Sequence, residues 1–274
     1  MDIKLFLNKN INDNANYYFE KAKKLKAKIP GLEKAMKQTK KEIENFEDKK
    51  ELYFKNKKKE EILKLNKKKE WYDKFRWTKT SNDFLLVIGK DATTNEVLIK
   101  KHLEDNDLVF HTEAAGSPFG VLKDAKNKAE KQDLEEAAQF ICSFSKQWKK
   151  GFGTADAFWV EPNQVTKKAQ TGEFISKGSF MIYGNKNILK NIPLQICFGV
   201  IEKKIEQNED VIKYYEQFSG SEKACKKNCK SYIKIEPGTD SYKKATKEIK
   251  SKLKLNKIED LPTYIPNGIK LLKR

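Results

Sequence analysis

Residues 158–187 read FWVEPNQVTKKAQTGEFISKGSFMIYGNKN, and this stretch decides the fold class. Short apolar runs at Phe158–Val160, Phe174–Ile175 and Phe180–Tyr183 alternate with turn-forming pairs at Pro162-Asn163, Thr171-Gly172, Lys177-Gly178 and Gly184-Asn185. Such punctuation predicts short strands joined by tight turns. The turns bring Lys167, Lys168, Lys177 and Lys186, and the runs supply the rings of Phe158, Trp159, Phe174, Phe180 and Tyr183. A rigid surface of that kind pairs with phosphates and stacks on bases. The same residues also suit an ordinary meander whose rings are core and whose lysines are solvated.

The order of the residues resembles the signature of the NFACT-R domain, found in the NFACT family of ribosome quality-control proteins. The resemblance is carried by Trp159-Val160-Glu161-Pro162-Asn163-Gln164-Val165, by Lys167, Ala169 and Thr171-Gly172-Glu173-Phe174, and by Lys177-Gly178-Ser179-Phe180-Met181-Ile182-Tyr183-Gly184. Gln170 and Thr171 stand where the family usually has proline and serine. Upstream, Trp71-Tyr72-Asp73-Lys74-Phe75-Arg76-Trp77 resembles the entry to the domain, followed by Ser81 to Leu85 and Val87 to Ala92. Val109-Phe110-His111-Thr112-Glu113-Ala114-Ala115-Gly116-Ser117-Pro118 is similar to a block with two histidines, the second replaced here by Ala115. Lys90 replaces a usual arginine. Asn14 to Lys24 resembles the first coiled-coil helix of the family.

What the resemblance implies is a protein without an active site of its own, bound to RNA. It implies tRNA and large ribosomal subunit RNA as partners, with template-free tailing of stalled nascent chains as the process served. The RNA contacts expected are His111, Ser117, Lys123, Gln164, Lys167, Lys168, Lys177 and Lys186, the lysines pairing with phosphates and the others bonding to ribose or base edges. Trp159 and Phe180 are expected in the core. The family's NFACT-N domain and helix-hairpin-helix region have no counterpart in this sequence. A separate NFACT-N polypeptide is therefore a further expected partner, unless the chain is a shortened one.

Composition agrees with a polyanion partner. There are 57 basic against 39 acidic residues, a net charge of +18. A field of that size attracts nucleic acid with an affinity that falls steeply with salt. Arginine is confined to Arg76 and Arg274. Lysine meets phosphate as a point charge, whereas arginine reads base edges in bidentate fashion, so shape and backbone are the expected targets. A lysine-rich coding bias gives the same excess. No helix shows a bulky apolar face opposite lysines, which disfavours a membrane surface. No apolar run is long enough to span a bilayer and no signal pattern opens the chain, so a cytoplasmic location is expected. The four cysteines, at 142, 197, 225 and 229, lie far in sequence from His102 and His111 and read as free thiols.

The fold class expected is α+β: a mostly antiparallel sheet with packed helices, preceded by a projecting antiparallel coiled-coil hairpin. Residues 1–76 read as the hairpin, with Tyr18, Leu25, Ile29, Leu32, Met36 and Ile43 at helical spacing and a second helix through Leu52, Ile62, Leu65, Trp71 and Phe75. Pro30-Gly31 predicts a kink. Residues 77–221 read as the RNA-binding domain, with strands at Phe84–Ile88, Val97–Ile99, Leu108–Phe110, Val121–Leu122 and Leu194–Ile201 and a helix from Asp133 to Lys149. Residues 222–274 read as a small βα tail packed on or next to it, with a strand at Tyr232–Ile235 and a helix at Lys243–Leu253.

A catalytic alternative rests on His111 and Glu113, two apart on a strand and so on one face, beside Gly116-Ser117-Pro118. No G-x-S-x-G elbow or phosphate loop accompanies them, and no cofactor or metal is expected. A protein-interaction scaffold without RNA contact is the other alternative.

Overall fold

In the computed structural model, residues 3–44, 50, 54, 57, 62, 69–114, 116–168, 175–207, 210–255 and 257–272 are described. The chain divides into two compact units, Met1–Lys68 and Lys69–Arg274.

The first unit contains helix α1, Ile11–Glu44, 34 residues with Pro30 inside it. Its start is fastened by Asn14, whose Oδ1 accepts from Phe6 N at 2.8 Å and whose Nδ2 donates to the carbonyls of Phe6, Lys9 and Asn10. Leu25, Ile29, Leu32 and Met36 are exposed along one stripe. The partner helix expected through Leu52 and Leu65 falls mostly outside the described residues.

The second unit is built around a six-stranded antiparallel sheet of order β1-β2-β4-β3-β5-β8. These strands are β1 (Arg76–Lys79), β2 (Leu85–Ile88), β3 (Leu108–Thr112), β4 (Gly120–Leu122), β5 (Thr154–Val160) and β8 (Asn187–Pro193). Successive side chains of a strand point to opposite faces. Leu86, Ile88, Leu108, Phe110 and Leu122 therefore join one buried cluster, while Val87, Val109, Val121, Phe158 and Val160 join another on the opposite face. Burial of both faces explains why β2 reads as unbroken apolar sequence rather than an alternation.

Helix α2 (Ala92–His102) covers one face and helix α3 (Lys131–Ser143) the other. The strand expected at Val97–Ile99 is part of α2. The Asp91 side chain caps Thr94 N at 2.8 Å, and Asn95, Leu98 and Ile99 are buried on one helical stripe, which outweighs the β preference of Val97 and Ile99. The expected helix from Asp133 to Lys149 is two: α3 ends near Phe144, and Ser145 caps α4 (Lys146–Lys149). A close crossing needs Gly120, where a methyl group would sit 2.3 Å from Ile141 Cδ1 on α3.

A second antiparallel sheet has the order β10-β9-β11-β12, from β9 (Ile196–Gln207), β10 (Asp210–Gly220), β11 (Ser231–Asp240) and β12 (Ile269–Leu271). Helices α5 (Glu222–Asn228), α6 (Tyr242–Leu253) and α7 (Leu261–Tyr264) complete the unit. Residues 222–274 are woven into the core: β11 pairs with β9, and Ile233, Ile235, Ile249, Ile265 and Ile269 share a cluster with Leu86, Phe110 and Trp148. The fold class is the α+β arrangement that the strand and turn pattern predicted.

Candidate nucleic-acid interface

The signature segment folds into a two-stranded hairpin, β6 (Val165–Thr166) with β7 (Met181–Ile182), laid against the first turn of α2. Gly178 makes the contact. Its φ is +79°, and a Cβ there would lie 2.4 Å from Ala92 Cα, a backbone atom that cannot swing aside. Asn95, almost fully buried, ties three segments together: its Oδ1 accepts from Phe119 N at 3.2 Å and its Nδ2 reaches Gly178 O at 3.5 Å.

These contacts leave a cleft of about 720 Å³ between the α2 start, the loop before β4, the signature hairpin and the C-terminal residues. Arg76, Lys90, Lys149, Lys177 and Lys186 line it against two carboxylates, Asp91 and Glu113. Phe119, Phe158 and Phe180 form part of its wall, with the rings of Phe119 and Phe180 edge-to-face at 5.4 Å. Among the described residues, no acceptor lies within bonding distance of Lys177 Nζ. Lys186 Nζ is 3.1 Å from Glu113 Oε1 and 4.4 Å from the centre of the Phe158 ring. Both lysines are exposed, and such an ion pair in water contributes little, so Lys186 remains open to phosphate.

The residues expected to contact RNA fall into two groups. His111, Ser117, Lys177 and Lys186 line the cleft. Lys123, Gln164, Lys167 and Lys168 do not. Lys123 has three N–H donors and three acceptors: His102 O at 2.9 Å, Glu104 Oε2 at 2.9 Å and Asp107 Oδ2 at 2.7 Å. Lys167 is similarly filled by Ser176 O at 2.9 Å, Ser179 O at 3.0 Å and Glu96 Oε1 at 2.9 Å. That Lys167 hydrogen bond, more than anything else nearby, pulls the Glu96 carboxyl below its ordinary range. The Gln164 amide is spent on Glu161 N, Tyr183 O and Asn185 O, at 2.9, 2.8 and 2.9 Å. These three side chains hold the backbone in place. Lys168 is exposed outside the cleft. Gln170 and the loop to Phe174, like Ala115, lie outside the described residues. Trp159 and Phe180 are partly buried and pack against the two clusters.

Ser117 is buried, and Thr112 Oγ1 donates to its Oγ at 2.6 Å. His111 packs on Phe119 with ring centres 4.4 Å apart, and its Nε2 lies 3.2 Å from Ser117 O. A carbonyl only accepts, so Nε2 carries the hydrogen. Burial lowers the His111 pKa, outweighing the backbone hydrogen bonds and Glu113 that raise it. The imidazole is therefore neutral at pH 7. Burial and the neighbouring Lys74 and Lys123 lower His102 as well. In acid the unfolded chain takes up protons at both histidines before the folded chain does, so stability falls as pH drops below the ordinary histidine value of about 6.5. We expect the melting temperature to fall between pH 7.5 and 5.5, and His111→Asn to flatten that dependence.

Arg76, Lys90, Lys149 and Tyr242 of the cleft carry no expected contact from the sequence. The signal that could have found Arg76 is rarity: it is one of two arginines beside 55 lysines. Lys149, Tyr242, Pro266 and Asn267 had no such signal, because only the tertiary fold brings them to the signature hairpin.

Residues 74–184 match the family model described as the NFACT protein RNA binding domain. The archaeal Rqc2 homolog of Methanocaldococcus jannaschii is 37% identical over 214 residues, covering 77% of this chain and 31% of that protein. The human ribosome quality control complex subunit NEMF is 34% identical over 134 residues, 48% of this chain and 12% of that protein. A solved C-terminal fragment of a fibronectin/fibrinogen-binding protein from Streptococcus suis is 20% identical, with a TM-score of 0.38 over 47% of this chain and 49% of that one. The chain thus spans under a third of the length of these two curated relatives, of which the human one is named as a ribosome quality control complex subunit. No helix among the described residues is long and apolar enough to cross a membrane. The chain is a member of the NFACT family of ribosome quality-control proteins, matching their C-terminal part and carrying their RNA-binding domain.

Proposed function

We propose that the cleft binds structured RNA during ribosome-associated quality control, with tRNA and large-subunit RNA as ligands, in support of template-free tailing of stalled nascent chains. The observation that carries this reading is the convergence of Arg76, Lys90, Lys149, Lys177 and Lys186 on one aromatic-walled cleft. Cations with spare donors serve phosphates, and the rings beside them suit bases or ribose. Lysines predominate, which favours recognition by charge and outline over base sequence. A separate NFACT-N polypeptide remains part of this proposal as the second half of the tRNA grip. Hydrolysis through His111 and Glu113 finds less support: the histidine ring is packed on Phe119 with Nε2 committed to Ser117 O, and Glu113 faces Lys186.

Lys177→Glu with Lys186→Glu is expected to weaken tRNA binding by about one to two orders of magnitude near 100 mM salt. The slope of log K against log salt flattens by about 1.4 to 1.8, the contribution of two phosphate contacts. Filter binding across a salt series measures both. Unchanged affinity and slope in a folded variant would mean that these lysines are only solvated and that the RNA lies elsewhere.

A further inference from the structure

The cleft has a second end, formed beyond the signature hairpin and partly beyond the matched residues. There Arg76, at the start of β1, is registered opposite Ile88, so that it sits beside Gly89 and Lys90. Its guanidinium carbon lies 4.8 Å from the Phe144 ring centre, and Nε donates to Pro262 O at 3.4 Å. Only Nε is so engaged; among the described residues the Nη donors have no hydrogen-bond acceptor, and they offer the planar fork that grips two phosphate oxygens at once. Tyr242, Pro266 and Asn267 close this end.

Arg76 and Lys90 are both half-buried. Among the described residues, no carboxylate lies within ion-pair distance of either. Burial is the largest influence on both pKa values and lowers them; at Lys90 the field of Asp260 raises the value, Arg76 lowers it and Asp91 raises it, with neither carboxylate in ion-pair contact. Two desolvated like charges without a contacting counter-ion destabilise the empty protein. An anion between them removes that cost. Lys123 and Lys167, also partly buried in this unit, have their acceptors supplied by the protein, whereas Lys90 and the Nη groups of Arg76 have none among the described residues.

We propose that Arg76 and Lys90 form a phosphate-binding subsite that takes one backbone phosphate of the bound RNA, with Arg76 as a bidentate donor and Lys90 as a point charge. The inference rests on the RNA reading of the cleft and assigns it an anchor besides Lys177 and Lys186.

The experiment uses the full chain, a labelled tRNA transcript and inorganic phosphate as a separate probe. Arg76→Gln and Lys90→Gln should each weaken tRNA binding about tenfold near 100 mM salt. Arg76→Lys, which keeps the charge and loses the fork, should recover only part of the loss. Without RNA, Lys90→Gln should melt at or above the wild-type temperature because a desolvated charge has gone; a residue with a purely structural role would lower it. If Arg76→Gln does not fold, Lys90→Gln alone decides. The subsite is overturned if wild-type protein binds tRNA, Lys177→Glu with Lys186→Glu weakens it, and the Arg76 and Lys90 variants bind as wild type. It is equally overturned if those variants lose only inorganic phosphate, which would make this a site for the free anion. If the wild-type protein binds no tRNA, the RNA reading of the whole cleft fails, and the two failures are thereby distinguished.

Discussion

Trp148→Ala is expected to lower the free energy of unfolding by about 3–5 kcal/mol, the range for removing a large aromatic from a packed core. Trp148 on α4 is 1% exposed and lies in the cluster that joins the six-stranded sheet to the C-terminal strands and helices. Its Nε1 donates to Gly268 O at 2.8 Å, one residue beyond Asn267 of the cleft. Trp148→Phe keeps most of the volume and loses the hydrogen bond. Since Gly268 O also accepts from Gly238 N at 3.0 Å, that variant should cost only about 1 kcal/mol. Urea unfolding of both proteins measures the difference. Equal losses would show that the hydrogen bond, not the packing, is what Trp148 supplies.

Asp107→Ala should be comparably damaging, at about 3–5 kcal/mol, the cost of stripping one partner from a buried ion pair. Asp107 is fully buried. Its carboxylate accepts from Lys123 Nζ at 2.7 Å, Glu104 N at 2.8 Å and Asp124 N at 2.9 Å. Burial alone would lower the Lys123 pKa, but its hydrogen bonds to Asp107 and Glu104 outweigh that and raise it. Removing Asp107 therefore strands two amides and leaves Lys123 only the exposed Glu104 carboxylate and the His102 carbonyl. Asp107→Ala with Lys123→Met should recover much of the loss in chemical denaturation, whereas two independent sites would give additive losses. Because Lys123 points into the fold, RNA affinity of the folded double variant should match wild type.

The sheet was legible because Leu85–Ile88, Leu108–Phe110 and Val121–Leu122 are too apolar for anything but buried strands, and turn residues separate them. Val97–Ile99 misled, since β-branched residues favour strands and the helix there depends on a cap six residues upstream at Asp91. The β9–β10 hairpin went unread past Ile201, because its lysines, glutamates and tyrosines give no clear alternation. Of the cleft lining, the sequence named His111 and Ser117, in the block Val109–Pro118, and Lys177 and Lys186, in the signature stretch. It could not tell a lysine whose amine lacks an acceptor from one already satisfied. Lys123 and Lys167 differ from Lys177 only in what long-range folding places beside them, the carboxylates of Asp107 and Glu96.

The pairing of β11 with β9 has a consequence for synthesis. Ile196 and Phe198 await a neighbour made more than thirty residues later, and Ile249, Ile265 and Ile269 emerge later still. A polypeptide whose translation halts before residue 231 exposes an oily strand edge to the surrounding medium. Folding of this unit is thus a late event, completed only when nearly all of it has cleared the exit tunnel.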